Sequence, residues 1–312
     1  MNPAFSVIIF TTLAGAAQGL VLTLALAVLL GALSPTAAML APALLLSLVM
    51  LLAGLVSSFF HLGHPERAWR AAMMWRTSWL SREVIVLPAF IGAVALWWFS
   101  VRAGGGNLLW PVLCIALALA LWLCTGMIYA CIRFIQEWSH PITVVNFVLM
   151  GMSAGLILCS LLAQLNGQGD FAARLMPWAL ALTVVAWASR MVSLRRNAGL
   201  KPVSSLQSAT GIRSQKLKQK SMGMSAGAFN TREFFHHASE MAFKQVKLAF
   251  ILLAFAVPVA FLVGAMNTGD AQVCLQLLCL AALVQYLGLL AERWFFFAQA
   301  RHPQNLYYQI VS

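Results

Sequence analysis

No Asp, Glu, Lys or Arg precedes Glu66, and only 9% of the 312 residues are charged. Soluble domains carry roughly 25%. With 62% hydrophobic residues and a mean hydropathy of +0.85, this scarcity excludes a soluble enzyme and defines an integral membrane protein. Cysteine is present six times without a CxxC or a paired spacing that would hold zinc or an iron-sulfur cluster. The six read as small core residues, and any cluster would belong to another chain. Histidine is missing from the middle of every apolar run. His61, His64, His140, His236 and His237 all fall to one side, so the stacked pairs of a transmembrane haem relay are absent and no haem is expected. No metal is expected in this chain.

What the sequence has is apolar length. Eight segments reach the approximately 20 residues that a spanning helix needs, at about 8–31, 42–62, 84–101, 110–132, 142–163, 176–194, 246–266 and 273–297. Breakers separate them, among them Ser34-Pro35, Gly104 to Gly106, His140-Pro141, Asn166-Gly167 and Thr268 to Asp270. The fold class is all-α, an eight-helix transmembrane bundle forming a single domain over 1–312. The first segment lacks a basic start and is too long for a cleaved signal. With eight spans, all but Arg102 and Arg174 of the 20 Lys and Arg fall on the face shared by both termini. The positive-inside rule makes that face cytoplasmic. The formal charge of +12 therefore reports topology and a docking surface for an acidic partner or lipid headgroups, and nucleic acid is not expected. The sixth connector, about 195–245, is the one sizeable soluble element. Its first half is basic and too polar for a core, whereas its second half carries aromatics able to settle on a partner.

Ionisable residues concentrate in FHLGHPERAWRAAMMWRTSWLSRE, from Phe60 to Glu83. Charge is costly in the bilayer, so a dense cluster at its edge marks a functional region. His61 ends helix 2 and Glu83 begins helix 3. Tyr129, Arg133 and Glu137 end helix 4, His140 and Asn146 begin helix 5, Arg190 closes helix 6, and Tyr286, Glu292 and Arg293 lie toward the end of helix 8. A quinone needs an apolar slot, hydrogen-bond partners for its carbonyl oxygens and a proton donor or acceptor. A histidine, and a carboxylate moved toward neutrality by burial, suit the last role. Plainer readings stand beside this one. Either residue is an ordinary interfacial or salt-bridge group, with Glu83 favoured by the macrodipole in a first helical turn. The arginines of the motif are positive-inside residues, Glu137 and Arg133 form an i,i+4 pair, and Trp69, Trp75, Trp79, Trp138 and Trp294 form the interfacial belt.

Three blocks carry a resemblance: Phe60 to Glu83, CTGMIYACIRFIQEWSHPITVVNFVLMG from Cys124 to Gly151, and FNTREFFH from Phe229 to His236. They resemble the membrane anchor subunits of the dimethyl sulfoxide reductase type, within the molybdopterin oxidoreductase complexes. The resemblance implies a haem-free anchor in the bacterial inner membrane. It would hold an iron-sulfur subunit and a molybdopterin catalytic subunit, and exchange electrons with ubiquinone or menaquinone. It implies His61 and Glu83 as the quinone-site pair, with Tyr129, Arg133 and Arg67 as neighbours. A cytoplasmic docking face favours the sulfite dehydrogenase branch, with quinone reduction, over a quinol-oxidising dimethyl sulfoxide reductase anchor. A polytopic transporter and an anchor without quinone are the competing classes. The first would need charged or broken helices at the midplane.

Overall fold

The computed structural model describes residues 1–34, 38–217 and 238–303. Within them, eight helices are long and apolar enough to cross a membrane. They are α1 (Phe5–Leu29), α2 (Leu40–Phe59), α3 (Trp79–Arg102), α4 (Leu109–Ala130), α5 (Pro141–Leu165), α6 (Gly169–Ala198), α7 (Glu240–Asn267) and α8 (Ala271–Ala298). A 3₁₀ segment at Pro65–Met74 and a one-turn helix at Leu206–Thr210 complete the described elements, which include no strand. The expected all-α bundle of eight spans is therefore present. The FNTREFFH block, His236, His237 and most of the second half of the sixth connector lie outside the described residues.

Local chemistry places the helix ends. The Ser78 hydroxyl accepts from the Ser81 N–H and starts α3 five residues earlier than hydropathy alone suggests. His140 Nδ1 accepts from the Ile142 N–H ahead of Pro141 at the start of α5. Asp270 accepts from Gln272 and Val273 to start α8. At the other end of α3, Gly104 turns the chain with a φ of 76°.

One helix is the central post. Of the most apolar stretch of α1, 78% is buried inside the protein, against 28–61% for the other spans. It packs on α2, α4, α5 and α8. Its closest neighbour is α5, and both helices carry a small-xxx-small pattern, Gly15 with Gly19 and Gly151 with Gly155. A Cβ on Gly19 would overlap the Gly151 carbonyl, and one on Gly155 would overlap the Gly19 backbone. A second close approach lies between α8 and a π-helical turn of α7 at Leu252–Ala256, where a Cβ on Gly288 would meet the backbone of Ala254.

The two ends of the bundle are tied differently. At the end where α1 begins and α8 finishes, the Met1 amine donates to Ala300 O at 2.9 Å and Trp138 Nε1 donates to Phe296 O at 3.0 Å. Arg196 donates from both terminal nitrogens to Gln136 O, and Ser57 Oγ donates to Ser6 O at 2.9 Å. These bonds join α1, α2, the fourth connector, α6 and α8 into one rim. At the far end, Gln164 Nε2 reaches Ala271 O at 3.1 Å.

Several sequence expectations change at these ends. Trp138 is buried within the rim rather than part of an interfacial belt. Because α4 stops at Ala130, Arg133 and Glu137 have no helical spacing and form no ion pair; Glu137 accepts from the Arg301 N–H instead. Cys131 and Cys279 are exposed, unlike the four buried cysteines. The glycine seam generates a test. Gly155→Ala should lower stability by about 1–3 kcal/mol through overpacking, read as reduced thermal stability in detergent. Gly92→Ala, where nothing stands within 4 Å of the added methyl, should leave it unchanged or slightly raised.

Candidate functional site

The early start of α3 moves Glu83 from the rim into the bundle. It is the fifth helical residue, only 6% exposed, and its Oε1 accepts a hydrogen bond from the Thr125 hydroxyl of α4. The other oxygen, Oε2, has no hydrogen-bond partner among the described residues. This is a carboxyl held in apolar surroundings by a single neutral donor, which differs from the expected first-turn group stabilised by the helix dipole.

His61 lies elsewhere. Helix α2 ends at Phe59, so His61 sits beyond it, exposed in the connector. Partial burial holds its imidazole below the ordinary 6.5, leaving it neutral at pH 7 and able to accept a proton. Among the described residues no hydrogen bond or ion pair joins His61 to Glu83. The connector between them is anchored by Arg82, whose Nε donates to Trp75 O and whose Nη2 donates to Arg76 O, both at 2.9 Å, with the guanidinium 4.2 Å over the Trp79 ring.

Tyr129 is close to Glu83 in a different way. Its ring stacks on Phe147 at 5.7 Å and meets Trp138, Phe296 and Phe297 edge to face, each at 5.4 Å. It stands within electrostatic range of both Glu83 and Arg293. Arg133 and Arg67 are exposed on the rim, Arg67 at 3.7 Å from Glu66. His140 caps α5, and Asn146 accepts from Ser189 Oγ at 2.8 Å.

A second ionic group lies inside the spans rather than at their ends. Arg190, 1% exposed, stands eight residues before the end of α6, with its Nε 2.7 Å from Glu292 Oε1 of α8. Arg293 Nε lies 3.6 Å from the other oxygen of Glu292, with its guanidinium 3.7 Å over the Phe147 ring. The Arg190–Glu292 contact is close but poorly aligned for a hydrogen bond, and Arg190 Nη2 has no partner. These three buried charges carry a net of +1, and Arg293 brings them within electrostatic range of Tyr129. The sequence placed these residues toward one rim, but which of them pair is fixed by how α6 and α8 pack. At mid-span, Gln285 Nε2 donates to Ser153 Oγ, which bonds Thr183 Oγ1, both at 2.7 Å. Among the described residues no three His, Cys, Asp or Glu come together as metal ligands.

An eight-span helical bundle with buried ionisable groups gathered toward one rim defines a polytopic membrane subunit built around a one-sided polar site. Residues 1–299 match the sequence profile of the DMSO reductase anchor subunit (DmsC), and the chain belongs to that family. It is 46% identical to the C subunit of the sulfite dehydrogenase of Allochromatium vinosum over 339 aligned positions, covering all of both proteins. It is 28% identical to the C component of the anaerobic dimethyl sulfoxide reductase of Escherichia coli over 210 positions, 65% of this protein and 72% of that one.

The buried ion group makes a sharp expectation. Glu292→Gln leaves Arg190 and Arg293 without their counter-charge in the apolar interior and should cost about 3–5 kcal/mol. The measure is the yield of folded, detergent-stable protein.

Proposed function

We propose that this protein is the quinone-reactive membrane anchor of a molybdopterin and iron-sulfur oxidoreductase, passing electrons from a docked iron-sulfur subunit to the quinone pool. The observation that carries the reading is Glu83, buried in apolar surroundings, held by Thr125 alone and with one oxygen free to meet a ligand. In this reading the protein is a single domain in a bacterial inner membrane, with both termini cytoplasmic.

The quinone supplies the redox chemistry, taking up electrons and protons together. This protein's part is to place and exchange protons. The cavity beside Thr125 is water-sized, so a ring would approach from the surface between the ends of α2 and α3. There Phe60 is 82% and Leu80 50% exposed, giving an apolar landing for ring and tail. Glu83 Oε2 would then meet one ring oxygen from inside the bundle. His61, neutral and exposed, would exchange protons with solvent. Tyr129 backs the site as a rigid aromatic wall. Arg67 and Arg133 are cations able to reach a bound ligand from outside the bundle.

The docking surface shares this rim. Trp69 is 64% and Trp75 52% exposed, with the Arg70 and Arg76 guanidinium groups 5.5 and 5.4 Å over these rings, so the 3₁₀ segment and the turn after it present a basic, aromatic face. Without a haem relay, a partner's cluster must come close to the quinone, and a shared rim allows that.

Sulfite oxidation with quinone reduction is favoured by the full-length 46% match to a sulfite dehydrogenase subunit. A quinol-oxidising role remains the second reading on the weaker match to a dimethyl sulfoxide reductase component. A transporter is disfavoured because the mid-span Ser153, Thr183 and Gln285 are neutral and bond one another, while the buried charges Glu83, Arg190, Glu292 and Arg293 lie nearer one end of their spans.

Glu83→Gln is the decisive variant. The complex should assemble normally while quinone-linked electron flow falls by about a hundredfold or more. The same membranes should retain electron transfer from the catalytic subunit to a soluble dye. Unchanged quinone-linked flow would reduce the protein to a structural anchor.

A further inference from the structure

Two small cavities lie against α1, each of about 10 Å³, and both are bordered by Thr11, Gly15 and Phe147. A single water needs roughly 10–15 Å³. The first cavity is also lined by Gln18, Trp122 and Thr125. Gln18 and Trp122 are 2% and 1% exposed, and Gln18 Oε1 and Trp122 Nε1 have no hydrogen-bond partner. An orphan acceptor and an orphan donor border the same water-sized space, in a protein interior where buried polar groups nearly always find a partner. Thr125, on the same wall, already donates its proton to Glu83 and keeps its oxygen lone pairs free.

We propose that this cavity is an ordered-water site, and that the water aligns the Thr125 hydroxyl on Glu83. The water accepts from the Trp122 indole N–H and donates to Gln18 Oε1 and to Thr125 Oγ1, which makes three bonds, the usual number for a buried water. With its oxygen accepting from the water, Thr125 must direct its own proton at Glu83. Each donor in such a series strengthens the next. Gln18 and Trp122 are thus positioning residues, acting on Glu83 through a solvent molecule.

The second cavity extends the arrangement. Arg293 borders it together with Thr11 and Thr12, whose hydroxyls donate to helix carbonyls at 2.9 and 2.8 Å and can still accept. A second water there brings the net-positive Arg190, Glu292 and Arg293 group into the same hydrogen-bonded interior. The series stops at that depth. Further along, Thr23, Ser47 and Ser160 donate back to their own helices at 2.8, 2.9 and 2.9 Å and border neither cavity.

The water site stands independently, whereas its effect on turnover rests on the quinone reading above. The first test is a cryo-electron microscopy map of the whole complex in lipid, at a resolution that shows water. Density within hydrogen-bond distance of both Gln18 Oε1 and Trp122 Nε1 is expected. An empty cavity, or Gln18 rotated onto a protein partner, overturns the site. The second test uses Trp122→Phe, which removes the donor, and Gly15→Ala, which adds a methyl at the junction of the cavities where no other atom stands within 4 Å. Both complexes should assemble, lose quinone-linked turnover by roughly tenfold and show a larger solvent deuterium isotope effect than the wild type. Density for the water with unchanged turnover and isotope effect in both variants overturns its link to Glu83. If Glu83→Gln is itself without effect, the quinone reading and that link fail together, and the map alone decides the water site.

Discussion

A charge that enters an apolar span must be answered by a neighbouring helix, because neither lipid nor bulk water will do so. This constraint organises the molecule. Arg190, Glu292 and Arg293 clamp α6 to α8, and Glu83 is held to α4 by Thr125. Such buried groups add little net stability but penalise every packing that separates them. They therefore select one arrangement of helices that hydrophobicity alone would leave loosely specified.

The rest of the bundle gives those groups a rigid setting. Lipid tails are as apolar as leucine, so helices in a membrane associate through close packing rather than through water exclusion. The glycines of α1 and α5 permit backbone contact, and α1 becomes a post around which α2, α4, α5 and α8 stand. Two small voids lie where polar side chains interrupt this packing, beside Gln18, Trp122 and Arg293. Packing defects and functional groups thus coincide near one rim.

Much of this was legible in the sequence. Apolar length marked all eight spans, and the distribution of Lys and Arg separated two unlike faces, because burial cost acts on every residue of a span. Helix ends were less legible. Hydropathy starts α3 where the apolar run begins, but the chain starts it at the Ser78 cap, and that shift turns Glu83 from a rim residue into a buried one. His61 moved the opposite way, out of α2 and into the exposed connector. Arg190 looked like a helix-end cation because its partner, 102 positions later on α8, is fixed only by tertiary packing. The small-xxx-small pairs Gly15 with Gly19 and Gly151 with Gly155 were a readable signal that hydropathy does not register.

The glycine seam also bears on how the protein is made. Synthesis delivers α1 ahead of α5, yet the surface α1 presents through Gly15 and Gly19 is complementary to α5, which follows only after three further spans. During that interval the central post stands without its principal neighbour. Closure of the core around α1 therefore waits for the fifth helix.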